Sequence, residues 1–437
     1  MNLLHKILIF TFLKCIIACL GNQEIINIDD STGILGKTNA PVSIEIKLNK
    51  YQKTAAEDGR LRLIELKPDN KVQEQTPIPI QIEFTGKKAT CRAILIMPKG
   101  EPGIRRFKLV ESDIPIDICM NASVNSLTGQ PIITEKGEIV LQYNYQTVFE
   151  EDVIRLENER LEKFTRTEAD TFLTVSIYAV PRSNYIHPLY GLSGEMLTRD
   201  WPEGPHPHHR GIFWAWPEVK YGSETGDPYA LQTIFVRPSD KIDYSNGPVF
   251  AQLTAVNLWL WEDEEPIVRE YAVIRVYRST PSNRVIDLTL KFDALKEGIT
   301  IATRDTDSYG GLCLRMQFPE HQVISFFTEA DKSKPVRAWS DFGGIFEGAE
   351  SPSGLKVLQH QNNPDYPGKW VAYPELAWVQ PTFPASGTRY LLDREESLIL
   401  NYRLVVYSGD KPEQHISESK WDAFHDKVSP LSDFIFN

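Results

Sequence analysis

An all-β fold is the class this sequence predicts: a large two-sheet fold preceded by a small β-sandwich domain. Three observations carry that expectation. Apolar residues recur at every second position through many short stretches, and a period of two puts one set of side chains on a core face. Clusters of Gly, Pro, Asn and Asp separate the stretches, as hairpin-connected strands require. Only two segments, 150–166 and 421–428, carry helical spacing, so strands do not alternate with helices as in βαβ folds.

The elements follow in chain order. Residues 1–21 read as a signal peptide: Lys6 precedes the apolar run 7–13, and a second run, 16–20, follows Lys14. Both are too short to span a bilayer. Ile16-Ile17-Ala18-Cys19 resembles a lipobox that would make Cys19 an acylated N-terminus, and cleavage near Gly21 is the alternative. An exported protein, periplasmic or anchored to the outer membrane, is expected. Val42, Ile44, Ile46 and Leu48 alternate with polar residues, as do Ile78, Ile80, Ile82 and Phe84, and 93–97 is a further strand. These make a small accessory β-sandwich over 25–130. The second domain, 131–437, contains strands at 139–145, 172–180, 251–261, 271–277 and 398–407, and at Ile286, Leu288, Leu290 and Phe292. Its length suits a large two-sheet fold with a concave face.

The 437 residues carry a net charge of -12. Phosphate backbones need a basic face, so nucleic acid is excluded as a partner. A membrane is expected only through the lipid anchor. Cys91, Cys119 and Cys313 lack the paired spacing of a zinc site. Cys91 and Cys119 form either a disulfide or two buried thiols.

The most informative stretch is 190–216, YGLSGEMLTRDWPEGPHPHHRGIFWAW. His206, His208 and His209 fall within four positions, Arg210 follows, and Trp201, Phe213, Trp214 and Trp216 surround them. Clustered titratable groups beside flat apolar rings suit a site for ring-shaped ligands. Pro205 and Pro207 disfavour helix. An extended chain would place His206 and His208 on one side and direct His209 elsewhere. The plain alternative is a polar turn with histidines bonded to carbonyls. A second block, RDTDSYGGLCLR, offers Asp305 and Asp307 as acid, base or ligand, against a simple hairpin turn. A third, WSDFGG with QHQNNPDYPGKW, brings His360, Asn363 and Trp370, against a loop held by Pro364 and Pro367. Glu375 follows beside Trp378. Buried among aromatics, such a glutamate serves as a general acid or base. HPHH lacks the helical spacing of HExxH. No cofactor is assigned, and a metal would need further ligands brought by the fold.

These blocks, in this order, resemble the family of exported bacterial proteins DUF6807, also labelled "methane oxygenase PmoA". The resemblance covers about 180–410 and matches His206, His208, His209, Arg210, Gly311, Arg315, Trp339, His360, Asn363 and Trp370. Pro205 stands where an acidic residue is expected, and Asp365 where a basic one is. The resemblance implies a galactose-mutarotase-like supersandwich, in which a histidine and a carboxylate exchange protons with a sugar ring. Membrane oxygenation would need spanning segments, and nothing after residue 21 is apolar enough.

The expected function is acid–base chemistry on a saccharide: glycoside hydrolysis, elimination or epimerisation. The catalytic candidates are His206, His208, His209, Arg210, His360 and Glu375. The substrate-binding candidates are Trp214, Trp216, Asp305, Arg315, Trp339, Asn363 and Trp370. Non-catalytic saccharide binding and metal-dependent oxidoreduction are the alternatives.

Overall fold

The computed structural model describes residues 25–67, 77–84, 90–113, 116–149, 180–200, 206–330 and 332–430. The expected signal peptide with Cys19, the helix at 150–166, most of the strand at 172–180, Trp201 and Pro205 lie outside these residues.

The chain is all-β, built from antiparallel sheets. Its N-terminal unit pairs two small sheets. One runs Ile25–Asp30, Gly103–Glu111, Leu61–Leu66, Ile78–Pro79, and the other Pro41–Lys47, Thr90–Ile96, Gln81–Phe84. Their inward residues, among them Val42, Leu63, Ala93, Leu95 and Phe107, form one core. The unit seats on the rest of the chain. Ile94 and Ile96 pack against Phe250 and Tyr277, and the Gln81 side chain accepts from the Phe250 N–H at 3.0 Å.

Two eight-stranded sheets follow. The first runs Trp370–Tyr373, Trp378–Pro381, Gly311–Arg315, Ile212–Ala215, Tyr185–Leu189, Glu138–Asn144, Pro131–Glu135, Met120–Val124. The second runs Ile234–Ser245, Phe250–Trp261, Glu265–Tyr277, Asn283–Ala294, Leu398–Ser408, Ser353–Gln359, Ala338–Ile345, Glu320–Thr328. They face each other over one large core, with Ile212, Leu312 and Leu314 from the first meeting Leu253, Leu288 and Leu404 from the second. Each sheet is left with an outer face, and the outer face of the first sheet carries the candidate site.

Two boundaries move. The strand Met120–Val124 pairs with Pro131–Glu135, so the large sheet begins at Met120 and not after residue 130. A short hairpin keeps both strands in one sheet. The terminal helix spans Gln414–Phe424 and starts before the expected 421–428, because its first turns are polar and show no apolar stripe. Cys91, Cys119 and Cys313 are free thiols.

Candidate functional site

Strand alternation builds the floor of the site. In Ile212–Ala215, Ile212 and Trp214 point into the core between the sheets, while Phe213 and Ala215 point outward. Neighbouring strands do the same. Tyr185 and Cys313 lie opposite Phe213, and Arg315 lies opposite Trp378. Cross-strand neighbours on one face touch. The outer face is thus a patch of Tyr185, Phe213, Cys313, Arg315, Trp378 and Gln380.

The histidines lie over this patch in a turn. The His209 N–H donates to the His206 carbonyl at 3.1 Å, and Pro207 occupies the second turn position, which its fixed φ favours. The turn overturns the extended reading, in which His209 projects away from the other two. All three rings converge. The His206 and His209 rings stack 4.9 Å apart, His208 meets His209 at 4.4 Å and His206 at 5.6 Å. One ring nitrogen from each lies within 4.8 Å of the others. Trp378 stacks on His209 at 5.5 Å, and Tyr229 meets it edge-on at 5.6 Å. His208 and His209 are buried, while His206, Tyr309 and Tyr373 are half-buried and bring the cluster to the surface.

Three buried arginines surround the rings. Arg182 lies over Phe213 at 4.6 Å and donates to the carbonyls of Pro228 and Tyr229 at 2.7 and 2.6 Å. Arg210 donates to the Pro207 carbonyl at 3.0 Å and sits 3.6 Å from Asp200. Asp200 also accepts from the Tyr185 hydroxyl at 3.0 Å. For Arg315, Nε and Nη1 are buried and meet no acceptor among the described residues. Nor do Gln380 Nε2 and His209 Nδ1.

Burial, reinforced by these guanidinium groups, holds His208 down to about 2 and His209 well below the usual histidine value. Half-buried His206 is lowered too, first by burial. All three are therefore neutral imidazoles at neutral pH. Burial lowers Arg182 and Arg315 to about 10, so both stay charged. The Cys313 thiol is pushed up to about 12 by burial, which removes it as a nucleophile.

The remaining sequence candidates divide. Arg210 and Arg315 join the histidines. Trp214 and Trp216 do not offer rings to a ligand, because inward alternation buries both. Trp214 Nε1 donates to Glu270 at 2.7 Å and Trp216 Nε1 to the Phe383 carbonyl at 2.7 Å. Trp370 is likewise in the core. Trp339 stacks on Phe327 at 4.3 Å over the outer face of the second sheet. His360 stacks with His425 at 4.6 Å beside Phe424. Asn363 brackets Asn401, donating to its carbonyl at 2.9 Å and accepting from its N–H at 2.7 Å. Asp305 and Glu375 are exposed in short 3-10 turns. For Glu375 this removes the burial on which its acid–base role depends.

Sequence reasoning missed Arg182, Tyr229 and Gln380 as site residues. Gln380 was within reach, since alternation in WVQP puts it on the same face as Trp378. Arg182 and Tyr229 come from irregular chain and carry no periodic signal.

The family described as "Family of unknown function (DUF6807)" matches residues 168–421. That span contains the outer-face cluster and both large sheets except the strands of 120–144. No curated protein matches the chain. With more than half of its length matched, from before Arg182 to Trp421, the chain belongs to the DUF6807 family.

Proposed function

We propose that this protein acts on an oxygen-rich small molecule of the saccharide class at a metal centre held by His206, His208 and His209. The observation that carries this is the convergence of three imidazole nitrogens within 4.8 Å in a single turn. Metal ligation requires neutral imidazole, and burial supplies it. Three protein ligands leave a coordination position open for water or substrate. There the ion would polarise a substrate oxygen or activate water. That chemistry suits hydrolysis, elimination or epimerisation at a glycosidic or anomeric centre. Half-buried Tyr309 and Tyr373 supply flat rings of the kind sugars use.

The facing eight-stranded sheets suit a mutarotase-like supersandwich, and export through residues 1–21 belongs to the same proposal. A second reading, saccharide binding without metal or turnover, is favoured by the aromatic wall alone. Oxidoreduction is the reading if the bound metal is redox-active.

Metal analysis of the purified protein, with zinc titration after chelation, tests the proposal. One ion per chain is expected, with affinity lost in His208→Ala and His209→Ala while the metal-free melting temperature stays close to wild type. Zinc affinity equal in wild type and a variant lacking all three histidines would overturn it.

A further inference from the structure

We infer that the ligand taken by this site carries a carboxylate, and that Arg315 and Gln380 receive it. The inference rests on the outer-face cluster being the ligand site, but it is carried by different atoms from the metal proposal.

Arg315 Nε and Nη1 and Gln380 Nε2 are buried N–H donors with no acceptor among the described residues. Arg315 is 3% exposed and Gln380 0%. Buried donors left unmade cost about 1–3 kcal/mol each, more when charged, and folded proteins almost always satisfy them. Here they are gathered. Arg315 and Gln380 lie on adjacent strands, joined where Arg315 pairs with Trp378, and both project from the same face. The Gln380 Oε1 is occupied by the Cys313 thiol at 3.1 Å, which turns the amide so that its N–H group is the free end. These donors call for an acceptor-rich group with no hydrogens of its own to offer.

Charge narrows that group. Arg182 is engaged by two carbonyls, and Arg210 by the Pro207 carbonyl with Asp200 close by. Arg315 Nε and Nη1 meet no acceptor among the described residues. One cation and one amide match a single negative charge shared over two oxygens, not a doubly charged phosphoryl group. A metal ion held by the three histidines would add more positive charge beside these arginines. No carboxylate stands among its ligands, so an anionic ligand also balances the site. Within the saccharide reading, the class is an acidic sugar.

The test uses D-galacturonate, D-glucuronate and acetate against D-galactose and inorganic phosphate. Each is titrated calorimetrically into chelated and into zinc-loaded full-length protein. At least one carboxylate is expected to bind tenfold or more tightly than galactose and phosphate. That preference should vanish in Arg315→Gln and in Gln380→Glu, which sets a like charge against the ligand at unchanged shape. Zinc affinity of both variants should stay within threefold of wild type. Galactose or phosphate binding as well as every carboxylate, or a carboxylate preference surviving both substitutions, would overturn the inference. Carboxylate binding that depends on Arg315 in a protein with no zinc affinity would instead remove the metal centre and leave this inference standing.

Discussion

The two outer faces of the large sheets both bury charge and histidine, but they treat it in opposite ways. Under the terminal helix, the second sheet pairs its buried Arg403 and Lys356, although Trp421 Nε1 meets no partner among the described residues. Arg403 and Asp287 form a two-point ion pair at 2.6 and 2.8 Å. Lys356 pairs with Asp341, which also accepts from the Tyr407 hydroxyl at 2.6 Å. His425 Nδ1 meets the Trp421 carbonyl at 2.7 Å, and its Nε2 accepts from the Gln361 N–H at 3.0 Å. On the first sheet, His209, Arg315 and Gln380 leave buried polar atoms open. Burial and depressed basicity are common to both faces, since His360 and His425 also fall to about 4 and 3, chiefly through burial. A perturbed histidine therefore does not by itself mark function. What separates the faces is how buried cations are met: Arg403 and Lys356 on the second sheet each have a carboxylate, whereas Arg315 Nε and Nη1 on the first meet no acceptor among the described residues.

The largest effect that would break this comparison is on the closed face. Removing one partner of a buried ion pair strands the other charge, at a cost of roughly 3–5 kcal/mol. Asp287→Ala is expected to lose that much in urea unfolding, because Arg403 is 2% exposed and cannot reach water. Zinc affinity of the folded protein should not change. A stability loss under about 1 kcal/mol, typical of exposed pairs, would show that this face is wetter than its geometry implies.

The sheets were legible because alternation survives burial. LTLKF and LILNYRLVVYS announce inward Leu288, Leu290, Leu400, Leu404 and Val406 directly. The HPHHR cluster was legible as a cluster but not as a shape. Its convergence depends on one hydrogen bond, His209 N–H to His206 carbonyl, that an extended reading leaves out. His360 and Asn363 lie in the matched family span, yet the fold places them with the terminal helix and Asn401. Sequence order cannot tell which outer face a loop serves. Asn257 and Glu270 were readable signals: polar residues at inward positions of otherwise apolar strands, and register partners of each other. They mark a polar network inside the core, where Glu270 accepts from Trp214, Trp259 and Asn184 at 2.7, 2.8 and 2.9 Å.

Glu270 sharpens the comparison, being buried and titratable but supplied with donors. Burial raises its carboxyl to about 7 against those hydrogen bonds. The unfolded carboxyl loses its proton near its ordinary value of 4.5. Between these values the folded state holds more protons, so this group's contribution to stability falls as pH rises from 4.5 to 7 and is level above. The difference amounts to ~3 kcal/mol. The buried histidines act in the opposite sense, since protonation of the unfolded state below about pH 6.5 costs the folded form stability. Wild type must therefore be compared with Glu270→Gln across pH 4–8. Their difference in unfolding free energy should slope in that window alone, and a flat difference would mean that Glu270 titrates alike in both states.

The smallest effects test the comparison most closely, because they depend on single ring nitrogens. Phenylalanine keeps a ring that can stack, slightly larger than imidazole, and removes both polar atoms. At His425 that breaks two hydrogen bonds and leaves the Trp421 carbonyl and Gln361 N–H without the ring, a loss of about 1–3 kcal/mol. At His209 it removes a nitrogen with no partner among the described residues, so metal-free stability should hold or rise slightly, since deleting an unsatisfied buried atom removes a desolvation cost. Zinc affinity should respond the other way round, lost in His209→Phe and intact in His425→Phe. Paired melts in chelator with zinc titrations read both quantities from the same preparations. If His209→Phe destabilised the protein as much as His425→Phe did, the open nitrogens on the first sheet would be structural after all, and the distinction between a closed face and a poised one would fail.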